Sequence, residues 1–88
     1  MVSTAMVTGA SSGIGREMAK CLASKGHDLI LVARREELLR ELAESLVVEH
    51  GCKADVLVAD LADPSQVSMI KEMVEDVDVL VNNAGYGK

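Results

Sequence analysis

Four short apolar runs alternate with three stretches of helical periodicity along these 88 residues, and no other feature restricts the fold as much. The runs are about Ser3 to Thr8, Asp28 to Ala33, Ala54 to Ala59 and Val77 to Val81. Repetition of strand, helix and strand is the pattern of a parallel sheet whose crossovers are helices. Leu29, Ile30, Leu31 and Val32 form a continuous apolar stretch, as expected of a strand covered on both faces. The chain is 49% hydrophobic but has no Phe, no Trp and a single Tyr, so its core must be built from Val, Leu, Ile, Met and Ala.

The first helical pattern runs from Arg16 to Lys25. Its spacing predicts one inward stripe of Ile14, Met18, Cys21 and Leu22, with Cys21 a core residue and Gly26 the stop. The second spans about Glu36 to His50, with Leu38, Leu39, Leu42, Leu46 and Val47 inward. Glu36 and Arg40 form an i,i+4 pair in the favourable order, and Gly51 ends that helix. In the third, Asp63 is the N-cap, Pro64 takes the first helical position and Gln66 the capping-box position. This helix continues to about Glu75, with Val67, Ile70 and Val74 inward and Met69 and Met73 as core filler.

No repeat, low-complexity tract or linker divides the chain, so residues 1–88 read as a single domain. Right-handed crossovers place the strands in the order 3-2-1-4 with three helices, an incomplete doubly wound α/β fold. The order reverses between strands one and four. Ligands of open α/β sheets bind at such a reversal, beyond the carboxyl ends of the strands. Thr8 to Gly15, Ala33-Arg34, Asp60-Leu61 and Asn82 to Gly85 all fall on that rim.

Three glycines punctuate the first handover from strand to helix. Gly9 tolerates positive φ where the strand must turn. Gly13 lets a diphosphate approach the backbone, and Gly15 lets the helix lie close to the strand. The first N–H groups of the helix have no intrahelical partner and sit at the positive end of its dipole, which suits an anion. The spacing G-x-x-x-G-x-G is one residue longer than the common dinucleotide fingerprint. It lacks the Gly-Lys-Ser/Thr ending of a P-loop, so nucleotide hydrolysis of that kind is not expected.

Charge sharpens this. Net charge is −5, from 9 basic and 14 acidic residues, which argues against nucleic acid or an anionic membrane as the partner. Yet Arg16, Arg34 and Arg35 gather near the glycine turn in this topology, as for one small anionic ligand. The end of strand two holds Ala33 and then Arg34, not the carboxylate that would accept from the ribose hydroxyls of NAD and repel a 2′-phosphate. The expected cofactor is therefore NADP rather than NAD. Asp60 suits either the adenine amino group or the turn before the third helix. Asn82 and Asn83 suit either a ligand contact or side-chain bonds between strand ends.

The longest unbroken apolar run is Leu29 to Ala33, far too short to cross a membrane. No charged leader precedes an apolar core, so a cytoplasmic location is expected. Cys21 and Cys52 have no metal-ligand spacing and read as reduced thiols, and no metal site is expected.

The sequence Thr8-Gly-Ala-Ser-Ser-Gly-Ile-Gly15, then Asp60-Leu61, then Asn82-Asn-Ala-Gly85 resembles the successive signatures of the short-chain dehydrogenase/reductase family. The resemblance covers essentially the whole chain. It implies a Rossmann-type fold, and Ala33-Arg34 resembles NADP-preferring members. It further implies that Gly9, Ser11, Ser12, Gly13, Ile14 and Gly15 carry the pyrophosphate, with Arg16 beside them. Arg34 would take the 2′-phosphate with Arg35 next to it and Ala33 before it. Asp60 and Leu61 would face the adenine, and Asn82, Ala84 and Gly85 would wall the nicotinamide side.

The family's catalytic serine and Tyr-x-x-x-Lys pair would lie beyond Lys88. Tyr86-Gly87-Lys88 is not that pair. Four-residue spacing puts tyrosine and lysine on one helix face, where the ammonium lowers the phenol pKa, and two-residue spacing does not. No catalytic residue is expected within the chain, which by itself should not turn over. The alternatives are a self-sufficient dinucleotide-binding module and a structural or interaction protein whose glycine turn is empty. Strand four would be an edge, so self-association or a complementing C-terminal half is expected.

Overall fold

A computed structural model of the chain describes residues 3–11, 13–60 and 63–82, with Asn82 described by its backbone. The expectations for Ser12, Leu61, Asn83, Ala84, Gly85 and Tyr86 lie outside the described residues. The elements are β1 (Thr4–Thr8), α1 (Gly13–Ser24), β2 (Asp28–Ala33), α2 (Glu36–His50), β3 (Ala54–Val58), α3 (Pro64–Val74) and β4 (Val79–Asn82). The four strands are parallel in the order β3-β2-β1-β4. This is the expected Rossmann-type arrangement. β4 starts two residues later than its apolar run suggests, because the N–H of Val77 still donates to Val74 O at 3.0 Å in the turn that closes α3.

Side chains alternate across the sheet, as a period of two requires. Ala5 and Val7 of β1 and Leu29, Leu31 and Ala33 of β2 face α1 and α2, where Leu39, Leu42, Ala43 and Leu46 complete one buried cluster. Met6 and Val32 face the opposite way, toward Ile70 of α3 and Ala59. Cys52 is buried in the first cluster, and burial raises its thiol pKa. Gly51, in the left-handed conformation, closes α2 with its N–H on Val47 O at 2.9 Å.

Three expectations about packing fail. On α1 the buried residues are Gly15, Ala19 and Ala23, while Ile14 is 71% exposed, Met18 39%, and Cys21 lies at the surface. Successive helical residues are about 100° apart, so the inward face is rotated by one residue from the apolar stripe. Small side chains four apart let the helix lie close to the sheet, and this close packing outweighs the greater hydrophobicity of Ile and Met. Leu22, of the predicted stripe, does pack against the core. On α3, Met73 packs against the core but Met69 is 42% exposed, so only one of the two methionines fills it. On α2, Ala43 joins the buried face, and Leu38 and Val47 at its margins stay exposed.

Candidate functional site

The carboxyl ends of parallel strands meet on one edge, and pair register sets what stands beside what. Thr8 pairs with Val32 on one side and with Asn82 on the other, and Ala33 pairs with Val58. The glycine turn therefore leaves β1 between the end of β2, where Arg34 follows, and the end of β4.

The turn is built from the backbone outward. Gly9 has φ of +65° and Gly13 of +46°, a region that side chains with a Cβ rarely enter. A Cβ placed on Gly13 would meet no protein atom within 4 Å, so its conformation, and not crowding within the protein, asks for glycine there. The N–H of Ala10 donates to Val32 O at 3.2 Å and pins the turn to β2. Thr8 is buried, and its hydroxyl donates to Val81 O at 3.3 Å, tying β1 to β4. This is a side-chain bond between strand ends of the kind that is one of the two roles open to the asparagines, made here from β1. A hydroxyl next to the first glycine was the signal for it.

Past the turn, α1 opens with Gly13, Ile14 and Gly15, and no acidic side chain lies in its first turn to neutralise the dipole. Arg16 is exposed and, with Gly13, Ile14, Glu17 and Met18, lines an open hollow of about 530 Å³ on the flank of α1. Ser11 is half-buried in the turn.

At the end of β2, Ala33 is packed in the core, and Arg34 and Arg35 are exposed. Among the described residues neither arginine is in an ion pair. Glu36, the nearest carboxylate in sequence, is held by Arg40 at 2.6 Å on the expected i,i+4 spacing. Arg35 occupies the N-cap position of α2 without a side-chain cap. Two guanidinium groups thus stand at a helix N-terminus, where the dipole disfavours them, and no ion pair among the described residues offsets it.

At the end of β3 the N–H of Ala59 donates to Ala33 O at 3.0 Å. The N–H of Asp60 donates to Gln66 Oε1, and Asp60 O accepts from Asp63 N at 3.0 Å. Gln66 was expected to reach the N-cap backbone in a capping box. It reaches three residues further back, to the rim itself. Asp63 caps α3 as predicted, accepting from Ser65 N at 3.0 Å and Ser65 Oγ at 2.8 Å, and these bonds hold its carboxyl below the usual aspartate range.

The family model for short chain dehydrogenase matches residues 3–88. The chain belongs to the short-chain dehydrogenase family. This short-chain dehydrogenase chain is 39% identical over 85 residues to a fatty acyl-CoA reductase of Acinetobacter baylyi, covering 92% of its own length and 28% of that protein. It superposes on a short-chain dehydrogenase from Sphingobium yanoikuyae in complex with NADPH with a TM-score of 0.91 at 40% identity, covering 96% of this chain and 34% of that one. For L-sorbose reductase from Gluconobacter frateurii, complexed with NADPH and L-sorbose, the TM-score is 0.87 at 38% identity, over 99% of this chain and 35% of that one. The chain thus spans between a quarter and about a third of the length of these relatives. Among the described residues, no helix of the chain is long and apolar enough to cross a membrane.

Proposed function

We propose that this chain is the NADP(H)-binding portion of a short-chain oxidoreductase that moves hydride between NADP(H) and a carbonyl or alcohol. One observation carries the reading. The N-terminus of α1 and the guanidinium of Arg34, which is in no ion pair among the described residues, stand on one rim, because Thr8 pairs with Val32, two residues before Arg34. The backbone amides of the glycine turn receive the diphosphate, and Arg34, with Arg35 and Arg16 adding positive charge, holds the 2′-phosphate. Asp60 and Leu61 face the adenine. Asn82, Ala84 and Gly85 wall the nicotinamide side.

The cofactor supplies the hydride when bound. The residues here bind and orient it, and none of them is proposed to be the acid that protonates a reduced carbonyl. The NADPH complexes of the two solved relatives support the choice of cofactor. A cytoplasmic location is part of the same proposal.

Titration of the protein, expressed from its complete reading frame, with NADPH and NADH tests this by the change in cofactor fluorescence. Saturable binding that favours NADPH is expected. Saturation by neither, or a preference for NADH, overturns the assignment.

A further inference from the structure

We propose that Gln66 is a positioning residue for adenine recognition, a strut from α3 that aims Asp60 from the end of β3. The inference rests on the proposed NADP(H) site and deepens it.

Asp60 is held by its backbone on every side. The residue before it is tied to β2 through Ala59 N and Ala33 O at 3.0 Å, and the Asp60 carbonyl accepts from Asp63 N at 3.0 Å. The remaining group, the Asp60 N–H, donates to Gln66 Oε1. The other end of the same amide is also engaged, with Nε2 donating to Asp63 Oδ2 at 3.3 Å. Gln66 is half-buried, and its one acceptor and one of its two donors are both spent inside the protein. Both ends of its amide are thus committed to the protein. What it does is fix the peptide plane that sets the Cα–Cβ direction of Asp60. A carboxylate on the rim discriminates between bases only if it is aimed, since a hydrogen bond weakens steeply with angle.

The discriminating experiment compares two dinucleotides that differ at one group. NADP has an amino group at position six of the purine. Nicotinamide hypoxanthine dinucleotide phosphate has a carbonyl there, which repels a carboxylate. The protein from its complete reading frame should prefer NADP by about tenfold. Gln66→Met keeps the length of the side chain and removes both hydrogen bonds, and it should bring the two affinities within about twofold. Gln66→Glu keeps an acceptor for the Asp60 N–H and should restore most of the preference, which guards against a variant that merely folds poorly.

A structural role alone would weaken both ligands equally and leave their ratio unchanged. An unchanged ratio in Gln66→Met overturns the inference while the cofactor assignment stands. A ratio of one in the unaltered protein, with NADP still bound, also overturns it. Failure of the unaltered protein to bind NADP removes the cofactor assignment itself.

Discussion

Thr4 and Asp78 exchange two hydrogen bonds. The N–H of Thr4 donates to Asp78 Oδ2 at 2.8 Å, and the N–H of Asp78 donates to Thr4 O at 2.9 Å. The pair fastens the start of β4 to the start of β1, across 74 residues of sequence. Asp28 does the same for β3, accepting from Lys53 N at 3.0 Å while Leu29 N donates to Lys53 O at 2.8 Å. In each case a strand enters the sheet with a carboxylate that takes an N–H from its neighbour. These contacts tie the strands together at the amino edge of the sheet.

Asp78→Ala should loosen β4 in particular. One exposed hydrogen bond to a carboxylate contributes about 0.5–1.5 kcal/mol, and the lower end applies to a solvated site. Urea unfolding should register that loss, and amide exchange should quicken at Leu80 and Val81 more than at Leu31. Uniform quickening across the sheet would contradict a local fastening role.

Arg34→Asp tests the choice between cofactors. A guanidinium on an exposed phosphate contributes about 1.5 kcal/mol, or roughly tenfold in affinity. The variant should lose that much or more for NADPH, with a much smaller change for NADH. Equal losses for both would remove Arg34 from the 2′-phosphate.

The acid limb of stability should carry the signature of Asp63. Its hydrogen bonds from Ser65 depress the folded-state pKa. A carboxylate shifted in this direction contributes stability that is present above the unfolded value, about 3.9, and is lost as pH falls through the lower folded value. The cap on α3 should therefore survive to a lower pH than an ordinary aspartate would allow. A carboxyl carbon titration by NMR that places the midpoint of Asp63 at or above the ordinary value would refute this. Asp63→Asn should flatten the acid limb.

Among the described strands, β4 is an edge, and Leu80 on it is 47% exposed. It lies on the same face as its partner Met6, which is fully buried under α3. The 88 residues expressed alone should self-associate through this strand, because an open parallel edge beside apolar surface invites pairing. Sedimentation velocity should show concentration-dependent species above the monomer, and Leu80→Glu should shift them back. A sharp monomer at every concentration would count against an exposed edge.

Much of the architecture is already written in local chemistry. The alternation of strands and helices, the α2 boundaries at Glu36 and His50, and the Asp63-Pro64 opening of α3 follow from period, cap and turn residues. These act within a few positions of one another, so a linear reading detects them. The same holds for the positive φ at Gly9, whereas the positive φ at Gly13 adds a backbone demand to a glycine read as room for a diphosphate.

Tertiary structure decided the rest. Which face of α1 turns inward depends on how closely the helix can approach the sheet, and there Gly15, Ala19 and Ala23 outrank the more hydrophobic Ile14, Met18 and Cys21. Gln66 carries its amide oxygen past the cap to the Asp60 N–H while its amide nitrogen stays on the Asp63 carboxylate, so one side chain serves both the rim and the cap residue. The first outcome depends on how two surfaces fit and the second on how six residues fold around one side chain, and no sum of residue preferences along the chain contains either.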